Sequence, residues 1–214
     1  MRIFNKKTKN VYNPEKKNKM INFEHLNKNY CKMGQTVLVG DSITEILNHT
    51  ELYAEYIKEN NKCVYNRGIS GDTSNRLLER FEKNVLNLKP SNIVFLIGIN
   101  DFNSGLTMDE TVSNIDKMLS LISENCSGAN VVLQAVYPVN EKMRKWDKGL
   151  NKKVKILNDR LKALAKTHGT AFLDLTDLLS DENGNLKERY TYDGLHPTVF
   201  GYEVVVKNAI PLLK

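Results

Sequence analysis

Two short segments of this chain contain the residue types that form a nucleophile and its base. Ser42 ends the run Gly40-Asp41-Ser42, and His196 lies in Asp193-Gly194-Leu195-His196-Pro197. A serine hydroxyl is a weak nucleophile until a base removes its proton, and histidine, which ordinarily titrates near about 6.5, is the natural base. An open turn at Gly194 would bring the Asp193 carboxylate to Nδ1 of His196. The spacing therefore predicts a Ser-His-Asp triad.

Two further segments carry groups that could stabilise a negatively charged oxygen. Gly71 lies in the turn Ile69–Ser74, and Asn100 lies in the run Gly98-Ile99-Asn100-Asp101. The tetrahedral intermediate of acyl transfer needs hydrogen-bond donors that are already in position. The backbone N–H groups of Ser42 and Gly71 and the side-chain amide of Asn100 are therefore predicted to form an oxyanion hole.

Short apolar runs alternate with helical patterns through residues 36–214, and this alternation predicts a parallel sheet with helices on both faces. We expect strands at Thr36–Gly40, Lys62–Asn66, Asn92–Ile97, Asn130–Val136 and Thr170–Leu173. Apolar spacing, capping residues and glycine stops predict helices at Ile43–Asn60 (broken near His49-Thr50), Asn75–Leu88, from Thr107 onward, Leu150–Thr167 and from Thr198 onward. The fold class is therefore α/β, and the simplest doubly wound arrangement has five strands in the order 2-1-3-4-5.

This strand order would bring the candidate residues together. Ser42 follows strand one, Gly71 follows strand two and Asn100 follows strand three, while Asp193 and His196 precede the last helix. Strands two, one and three are neighbours, and the carboxyl ends of parallel strands meet at the same edge of a sheet. We therefore expect one crevice at the point where the strand order reverses.

The basic charge of the chain is concentrated near its N-terminal end. The net charge is +6, yet residues 1–32 alone hold nine Lys or Arg against two Glu, which leaves 22 basic and 23 acidic residues in 33–214. The nearly neutral body argues against a nucleic-acid partner. We divide the chain into a basic extension, 1–35, that packs on or flanks the domain and contains one short helix near Phe23–Tyr30, and a domain at 36–214.

The expected compartment is the cytoplasm. The first residues lack the apolar core of a signal peptide, and no apolar stretch reaches the roughly 18 residues of a membrane span. Cys31, Cys63 and Cys126 are odd in number and widely spaced, so they imply neither a disulfide framework nor a zinc site. We expect no cofactor.

The four polar segments together resemble those of the SGNH hydrolases, also called GDSL-type lipases or acylhydrolases. The family's four blocks are matched in order by Gly40–Ser42, Asn66–Thr73, Gly98–Asp101 and Asp193–Pro197. One departure is Ile43, where leucine is common, and this is a conservative apolar exchange. The resemblance implies a flavodoxin-like three-layer α/β/α fold and a site without a metal. It assigns the triad and the oxyanion hole to the residues predicted above.

The resemblance also indicates a substrate class. The sequence is most similar to small intracellular-type esterases related to platelet-activating-factor acetylhydrolase, which favour short acyl groups. The expected reaction is hydrolysis of a small-molecule ester, such as an acylated sugar or a short-chain lipid ester, through an acyl-enzyme. Candidate substrate-binding residues are those that follow strands one, three and four, namely Asp41, Phe102, Tyr137 and Trp146.

Other functions fit the sequence less well. A nucleotide-binding protein would need a glycine-rich phosphate loop after strand one, where neither G-x-G-x-x-G nor G-x-x-x-x-G-K-[ST] occurs. A phosphoacceptor receiver domain would need several acids there, and only Asp41 is present. A catalytically silent carbohydrate- or lipid-binding relative stays open as the alternative. Ser70 lies outside a G-x-S-x-G pattern and has no acid–histidine pair of its own, so we interpret it as structural.

Overall fold

A five-stranded sheet lies at the centre of the computed structural model, which describes residues 14–47, 50–144 and 148–214. All strand pairs are parallel, and the order β2-β1-β3-β4-β5 confirms the predicted one. The strands are β1 (Thr36–Gly40), β2 (Val64–Gly68), β3 (Asn92–Leu96), β4 (Asn130–Gln134) and β5 (Ala171–Leu173). β1 and β3 are buried along their whole length, as apolar strands covered on both faces should be.

Helices cover both sides of the sheet. They are α1 (Pro14–Asn29), α2 (Ser42–Ile46), α3 (Ala54–Asn60), α4 (Ser74–Asn84), α5 (Met108–Asn125), α6 (Leu150–His168), α7 (Thr176–Leu179) and α8 (Val199–Ala209). The predicted capping box is present at the start of α5, where Thr107 and Glu110 exchange hydrogen bonds. Gly169 ends α6 in a left-handed conformation, with φ 64°.

The core forms because alternate residues of each strand point to opposite faces. Val37 and Val39 of β1 belong to a large buried cluster that includes Phe81 of α4. Leu38, between them, packs in a smaller cluster with Val206 of α8. Burial of each such side chain stabilises the fold by about 1.5–3 kcal/mol, so the two clusters fix the helices against the sheet.

Two glycines allow α2 to lie directly against the ends of β1 and β2. A Cβ on Gly40 would stand 2.2 Å from both the Leu96 carbonyl oxygen and the Thr44 hydroxyl. A Cβ on Gly68 would stand 2.3 Å from the backbone nitrogen of Glu45. No larger side chain fits at either position without moving backbone. The strand ends therefore determine where α2, and Ser42 at its start, are placed.

The N-terminal helix is longer than the sequence predicts. α1 begins at Pro14 rather than near Phe23, and none of its residues is buried. Prediction depends on an apolar stripe, which α1 lacks because it contacts the domain through polar side chains. Pro14 in the first position and Glu15 in the first turn are ordinary signals of a helix start.

Other boundaries also differ from the prediction. The expected helix at Ile43–Asn60 consists of α2, a 3₁₀ turn at Thr50–Tyr53 and α3, so the break considered near His49-Thr50 occurs, although residues 48–49 lie outside the described part. β2 begins at Val64 rather than Lys62, because its first parallel partner is Thr36 of β1.

No helix among the described residues is long and apolar enough to span a membrane. The three cysteines are unpaired thiols.

Candidate active site

The structure brings Ser42, His196 and Asp193 into one chain of hydrogen bonds. Nε2 of His196 lies 2.9 Å from the Ser42 Oγ. Nδ1 of the same ring lies 2.6 Å from Oδ2 of Asp193. This is the order of contacts in which an imidazole can accept a serine proton while a carboxylate stabilises the resulting positive charge.

The acid and the histidine are held by a turn that they form themselves. Oδ1 of Asp193 accepts the backbone N–H groups of Leu195, at 2.9 Å, and of His196, at 2.8 Å. Gly194 between them has φ 87°, and a Cβ there would lie 3.1 Å from the Asn140 carbonyl oxygen. Partial burial opposes ionisation of Asp193, but the hydrogen bonds from His196 and Leu195 outweigh it and lower the pKa of the carboxyl. Asp193 is therefore ionised at neutral pH.

An aromatic ring that sequence reasoning missed lies against the imidazole. Tyr192 stacks on His196 with ring centroids 5.9 Å apart and an interplanar angle of 16°. More than half of the Tyr192 side chain is exposed. An exposed aromatic residue directly before the Asp193–His196 turn is the signal that could have indicated it.

Ser42 stands at the first position of α2, where the preceding aspartate caps the helix. Oδ1 of Asp41 accepts the N–H of Ile43 at 2.9 Å. Asp41 is fully buried, and burial raises the pKa of its carboxyl to about 7, since the Ile43 hydrogen bond only partly offsets the desolvation and nearby Asp72 and Asp101 add to it. The Asp41 side chain has no exposed surface and supports the site from below; its assignment as a substrate-binding residue stays a prediction.

Asn100 connects the segment after β3 to its neighbours. Its Nδ2 donates to the Asp72 carbonyl oxygen at 2.9 Å and, over a longer 3.3 Å, to Oδ2 of Asp41. Gly71 is exposed beside it, in a left-handed conformation with φ 69°. The structure therefore groups Ser42, Gly71 and Asn100 around the ends of β1, β2 and β3.

Side chains from distant segments hold both neighbours of Gly71. On one side, Oε2 of Glu45 accepts the N–H of Ser70 at 2.6 Å and also its hydroxyl. On the other side, the fully buried Asp72 carboxylate pairs with Nε of Arg80 at 2.7 Å. Burial raises the pKa of Asp72 although Arg80 and Lys16 counteract it. Sequence reasoning missed Glu45, and an acid three residues after the candidate nucleophile is the signal that could have indicated it.

Asp101 has a structural role. Its carboxylate accepts hydrogen bonds from the N–H and hydroxyl of Ser74 and from the Thr111 hydroxyl, at 3.0 Å. It thereby fastens the start of α4 to α5, next to the Asn100 segment. Burial raises the pKa of Asp101 even though these hydrogen bonds favour its ionised form.

A polar cleft of about 610 Å³ opens beside Gly71 and Asn100. Its other lining residues are Thr73, Asn75, Arg76, Asn103, Ser104, Gly105 and Leu106. Among the described residues, no group of three His, Cys, Asp or Glu side chains is arranged to hold a metal ion. The side chains that line the cleft offer hydroxyl, amide and guanidinium groups to a ligand.

The other residues predicted to bind substrate lie elsewhere. Tyr137 is buried in the core and hydrogen-bonds Gln134, away from the cleft, and its role as a substrate contact stays a prediction. Phe102 is half-buried, packed against the large core cluster. Trp146 falls within residues 145–147, outside the described ranges.

Residues 38–204 match the GDSL-like lipase/acylhydrolase family, and the chain therefore belongs to this family. It is 29% identical over 178 residues to platelet-activating factor acetylhydrolase IB subunit alpha2 of Gallus gallus, covering 82% of this chain and 74% of the relative. An N-acylneuraminate cytidylyltransferase of Escherichia coli is 28% identical over 81% of this chain, which spans 41% of that longer protein.

A solved structure supports the same assignment. A candidate platelet activating factor protein from Streptococcus pneumonia superposes with a TM-score of 0.83 at 27% identity, covering 94% of this chain and 93% of the other. The family and its members make this protein a carboxylic ester hydrolase.

Proposed function

We propose that this hydrolase cleaves short acyl esters through an acyl-enzyme on Ser42. The observation that carries the proposal is the continuous contact from the Ser42 Oγ through His196 to Asp193, with distances of 2.9 and 2.6 Å. Each atom is within reach of the proton it must exchange. His196 is the general base, and the ionised Asp193 fixes its tautomer.

In the first half of the reaction, the Ser42 Oγ attacks the ester carbonyl carbon and its proton passes to Nε2 of His196. The tetrahedral intermediate then breaks its bond to the alcohol oxygen, which leaves with that proton. In the second half, a water molecule attacks the acyl-enzyme and gives a proton to His196. The carboxylic acid departs as Ser42 regains the proton.

The negative oxygen of each intermediate would accept hydrogen bonds from the backbone N–H groups of Ser42 and Gly71 and from Asn100 Nδ2. Without a ligand, the two amide hydrogens of Asn100 are directed to the Asp72 carbonyl and, more weakly, to Asp41. The 3.3 Å contact to Asp41 is the one that an oxyanion would replace. Asp72 would keep the amide in its orientation throughout.

The polar cleft favours an alcohol rich in hydroxyl groups, such as a sugar, over an extended lipid chain. Its lining offers several hydrogen-bonding groups and one apolar residue, Leu106. The buried cavity beneath Ile43 holds only about 10 Å³, room for about one water molecule, and cannot accept an acyl chain. Short-chain esters of polar alcohols are therefore the proposed substrates.

The test is hydrolysis of p-nitrophenyl acetate by the purified protein and by Ser42→Ala. We expect turnover and covalent labelling of Ser42 by a fluorophosphonate in the wild type, and neither in the variant. Full activity in Ser42→Ala would overturn the proposal. A folded wild type that neither turns over the ester nor reacts with the fluorophosphonate would favour the alternative of a silent carbohydrate- or lipid-binding relative.

The substrate class is tested by a panel of acetyl, butyryl and octanoyl esters together with acetylated sugars. We expect kcat/KM to fall with acyl length and acetylated sugars to be hydrolysed. A preference for octanoyl esters would contradict the proposed class while leaving the role of Ser42 intact.

A further inference from the structure

Two lysines of α1 pair with the carboxylates on either side of Gly71. Nζ of Lys19 forms an ion pair and hydrogen bond with Oε1 of Glu45. One turn earlier, Nζ of Lys16 lies 3.8 Å from Oδ1 of Asp72. The basic extension therefore reaches the candidate oxyanion hole through two charged contacts.

The contact through Lys19 leads directly to the loop. While Oε1 of Glu45 binds Lys19, Oε2 accepts both the N–H and the hydroxyl of Ser70. Glu45 remains ionised, because the hydrogen bonds from Lys19 and Ser70 lower its pKa despite partial burial. Its backbone is seated against Gly68, where no Cβ fits. One side chain thus connects α1, the helix that begins at Ser42, and the residue before Gly71.

The contact through Lys16 acts on the residue after Gly71. Asp72 is fully buried, and its Oδ1 has no hydrogen-bond partner among the described residues; the ammonium group of Lys16 lies 3.8 Å from it. The backbone carbonyl of Asp72 in turn accepts from Asn100. Both neighbours of Gly71 are therefore connected to α1.

We propose that Lys19 and Glu45 are positioning residues that keep the Gly71 N–H aimed at the oxyanion, which makes α1 a part of the active site. This inference rests on the proposed function of Gly71. Neither side chain touches the reacting atoms. They act by holding the Ser70–Gly71 backbone still, and loss of geometry at a catalytic group lowers the rate without weakening substrate binding.

Other contacts attach α1 to the domain, so the positioning role of Lys19 can be tested while the helix stays in place. Oδ1 of Asn27 accepts from Nη2 of Arg67 at 2.7 Å, and the Arg67 guanidinium lies 4.9 Å from the Phe23 ring centroid. Nδ2 of Asn84 donates to the Met20 carbonyl at 3.1 Å. Because none of these contacts uses the Lys19 side chain, and those of Phe23 and Asn27 lie at least one turn further along α1, a change at Lys19 leaves the helix attached.

The experiment measures four variants of the full chain, Glu45→Ala, Lys19→Met, Lys19→Arg and, as a matched control, Glu203→Ala. Glu203 also pairs with a lysine, Lys207 of α8, but on an exposed surface outside the site. For each we would measure kcat and KM for p-nitrophenyl acetate and the inhibition constant of 2,2,2-trifluoroacetophenone. That ketone forms a hemiketal with a nucleophilic serine, and its affinity reports the oxyanion hole directly.

We expect kcat to fall about tenfold in Glu45→Ala and a few-fold in Lys19→Met, less than the roughly 10²–10³ expected when a donor is removed outright. The inhibition constant should rise by the same factor, while KM and the pH profile stay unchanged. Lys19→Arg, which keeps the charge, and Glu203→Ala should match the wild type within about twofold.

Unchanged kcat and ketone affinity in Glu45→Ala and Lys19→Met would overturn the inference. So would a loss of kcat accompanied by an altered pH profile, because that would place the effect on the acid–base groups rather than on the oxyanion hole. If Glu45→Ala does not fold, the surface variant Lys19→Met decides the question. A wild type that is itself inactive on the ester would overturn the proposed function, and the inference with it.

Discussion

Asp193 and His196 lie three residues apart and fix each other within one turn, whereas Gly71 and Asn100 are held by side chains from widely separated segments. The acid–base side, formed by Asp193 and His196, is held by the Asp193 carboxylate, by the room that Gly194 leaves and by the Thr191 hydroxyl two residues earlier. The oxyanion side, formed by Ser42, Gly71 and Asn100, depends on Glu45 and Asp72. These two residues connect it to α1, α2 and α4.

The two sides also differ in their electrostatics. Hydrogen bonds lower the pKa of Asp193, so its charge is stabilised where it is needed. Burial raises the pKa values of Asp41, Asp72 and Asp101 around the oxyanion side. Burial of these three carboxyl groups, which position the oxyanion donors, therefore destabilises the fold where they ionise. The turn that holds Asp193 and His196 does not have this cost.

The largest effect expected after loss of the nucleophile is on the acid–base side. Asp193→Asn should lower kcat by about 10⁴, because the amide no longer fixes the imidazole tautomer or stabilises its positive charge. Steady-state kinetics across pH would measure this. Because hydrogen bonds lower the pKa of Asp193, its carboxylate stays ionised in mild acid and the difference between the two proteins should persist there. A variant that keeps more than about a tenth of the activity would contradict the triad.

The next effect is on the oxyanion side. Asn100→Ala should lower kcat by about 10²–10³, roughly 3–4 kcal/mol, with little change in KM. Single-turnover kinetics with p-nitrophenyl acetate would measure it. The acid limb of its pH profile should coincide with that of the wild type, because the acid–base turn is untouched. A change in KM alone would identify Asn100 as a binding residue instead.

Buried Asp41 should make stability depend on pH. Its pKa is 3.8 ordinarily and about 7 when folded. Between these values the unfolded chain loses the proton while the folded protein keeps it, so this contribution to stability is complete in acid and is lost as pH rises towards about 7. Urea denaturation of wild type and Asp41→Asn at about pH 5 and about pH 8 should show a pH-dependent difference of about 1–3 kcal/mol.

Measuring Asp41→Asn at both pH values controls for any contacts that the substitution itself removes. Asn at 41 keeps an oxygen for the Ile43 N–H, and any clash of its amide with Asn100 would affect both pH values equally. Asp72 and Asp101 are present in both proteins, so a pH dependence that the substitution removes comes from Asp41 and its interaction with them. Parallel pH dependences in wild type and variant would show that Asp41 is not responsible.

The smallest expected effect is the difference in the free energy of unfolding between two glycine substitutions, Gly71→Ala on the oxyanion side and Gly194→Ala on the acid–base side. Gly71→Ala should lower the free energy of unfolding by about 1 kcal/mol, from the left-handed backbone alone. Its new Cβ would approach only the flexible end of Lys16, at 3.0 Å. Gly194→Ala should cost more, because its Cβ would lie 2.8 Å from the Arg144 side chain and 3.1 Å from the Asn140 backbone. Urea denaturation of both variants would test this, and an equal cost would remove the distinction between the sides.

The sequence was sufficient for what depends on local pattern. Strand order followed from apolar runs separated by helices, and the contact between Asp193 and His196 followed from a spacing of three around a glycine. Asn100 could be placed because it lies in the turn that follows a mostly apolar strand. These predictions depend on residues that are close in sequence or on the topology of a parallel sheet.

What could not be predicted depends on contacts between distant polar residues. α1 has no apolar stripe, and its pairing of Lys19 with Glu45 spans 26 positions without any periodicity. Tyr137 and Asp41 follow strands at the correct edge, yet both side chains are buried. Position along a strand locates a residue at the sheet edge, while packing decides whether its side chain faces the core or the cleft.

The contact between Ser42 and His196 joins positions 154 residues apart. The two meet only when α8 packs against α2, a contact that the Tyr202 hydroxyl supports by donating to the Ile43 carbonyl at 2.7 Å. The proposed nucleophile therefore meets its proposed base only after nearly the whole domain has been synthesised and folded. Recovery of esterase activity on refolding should therefore report the formation of this long-range contact, later than the formation of the helices.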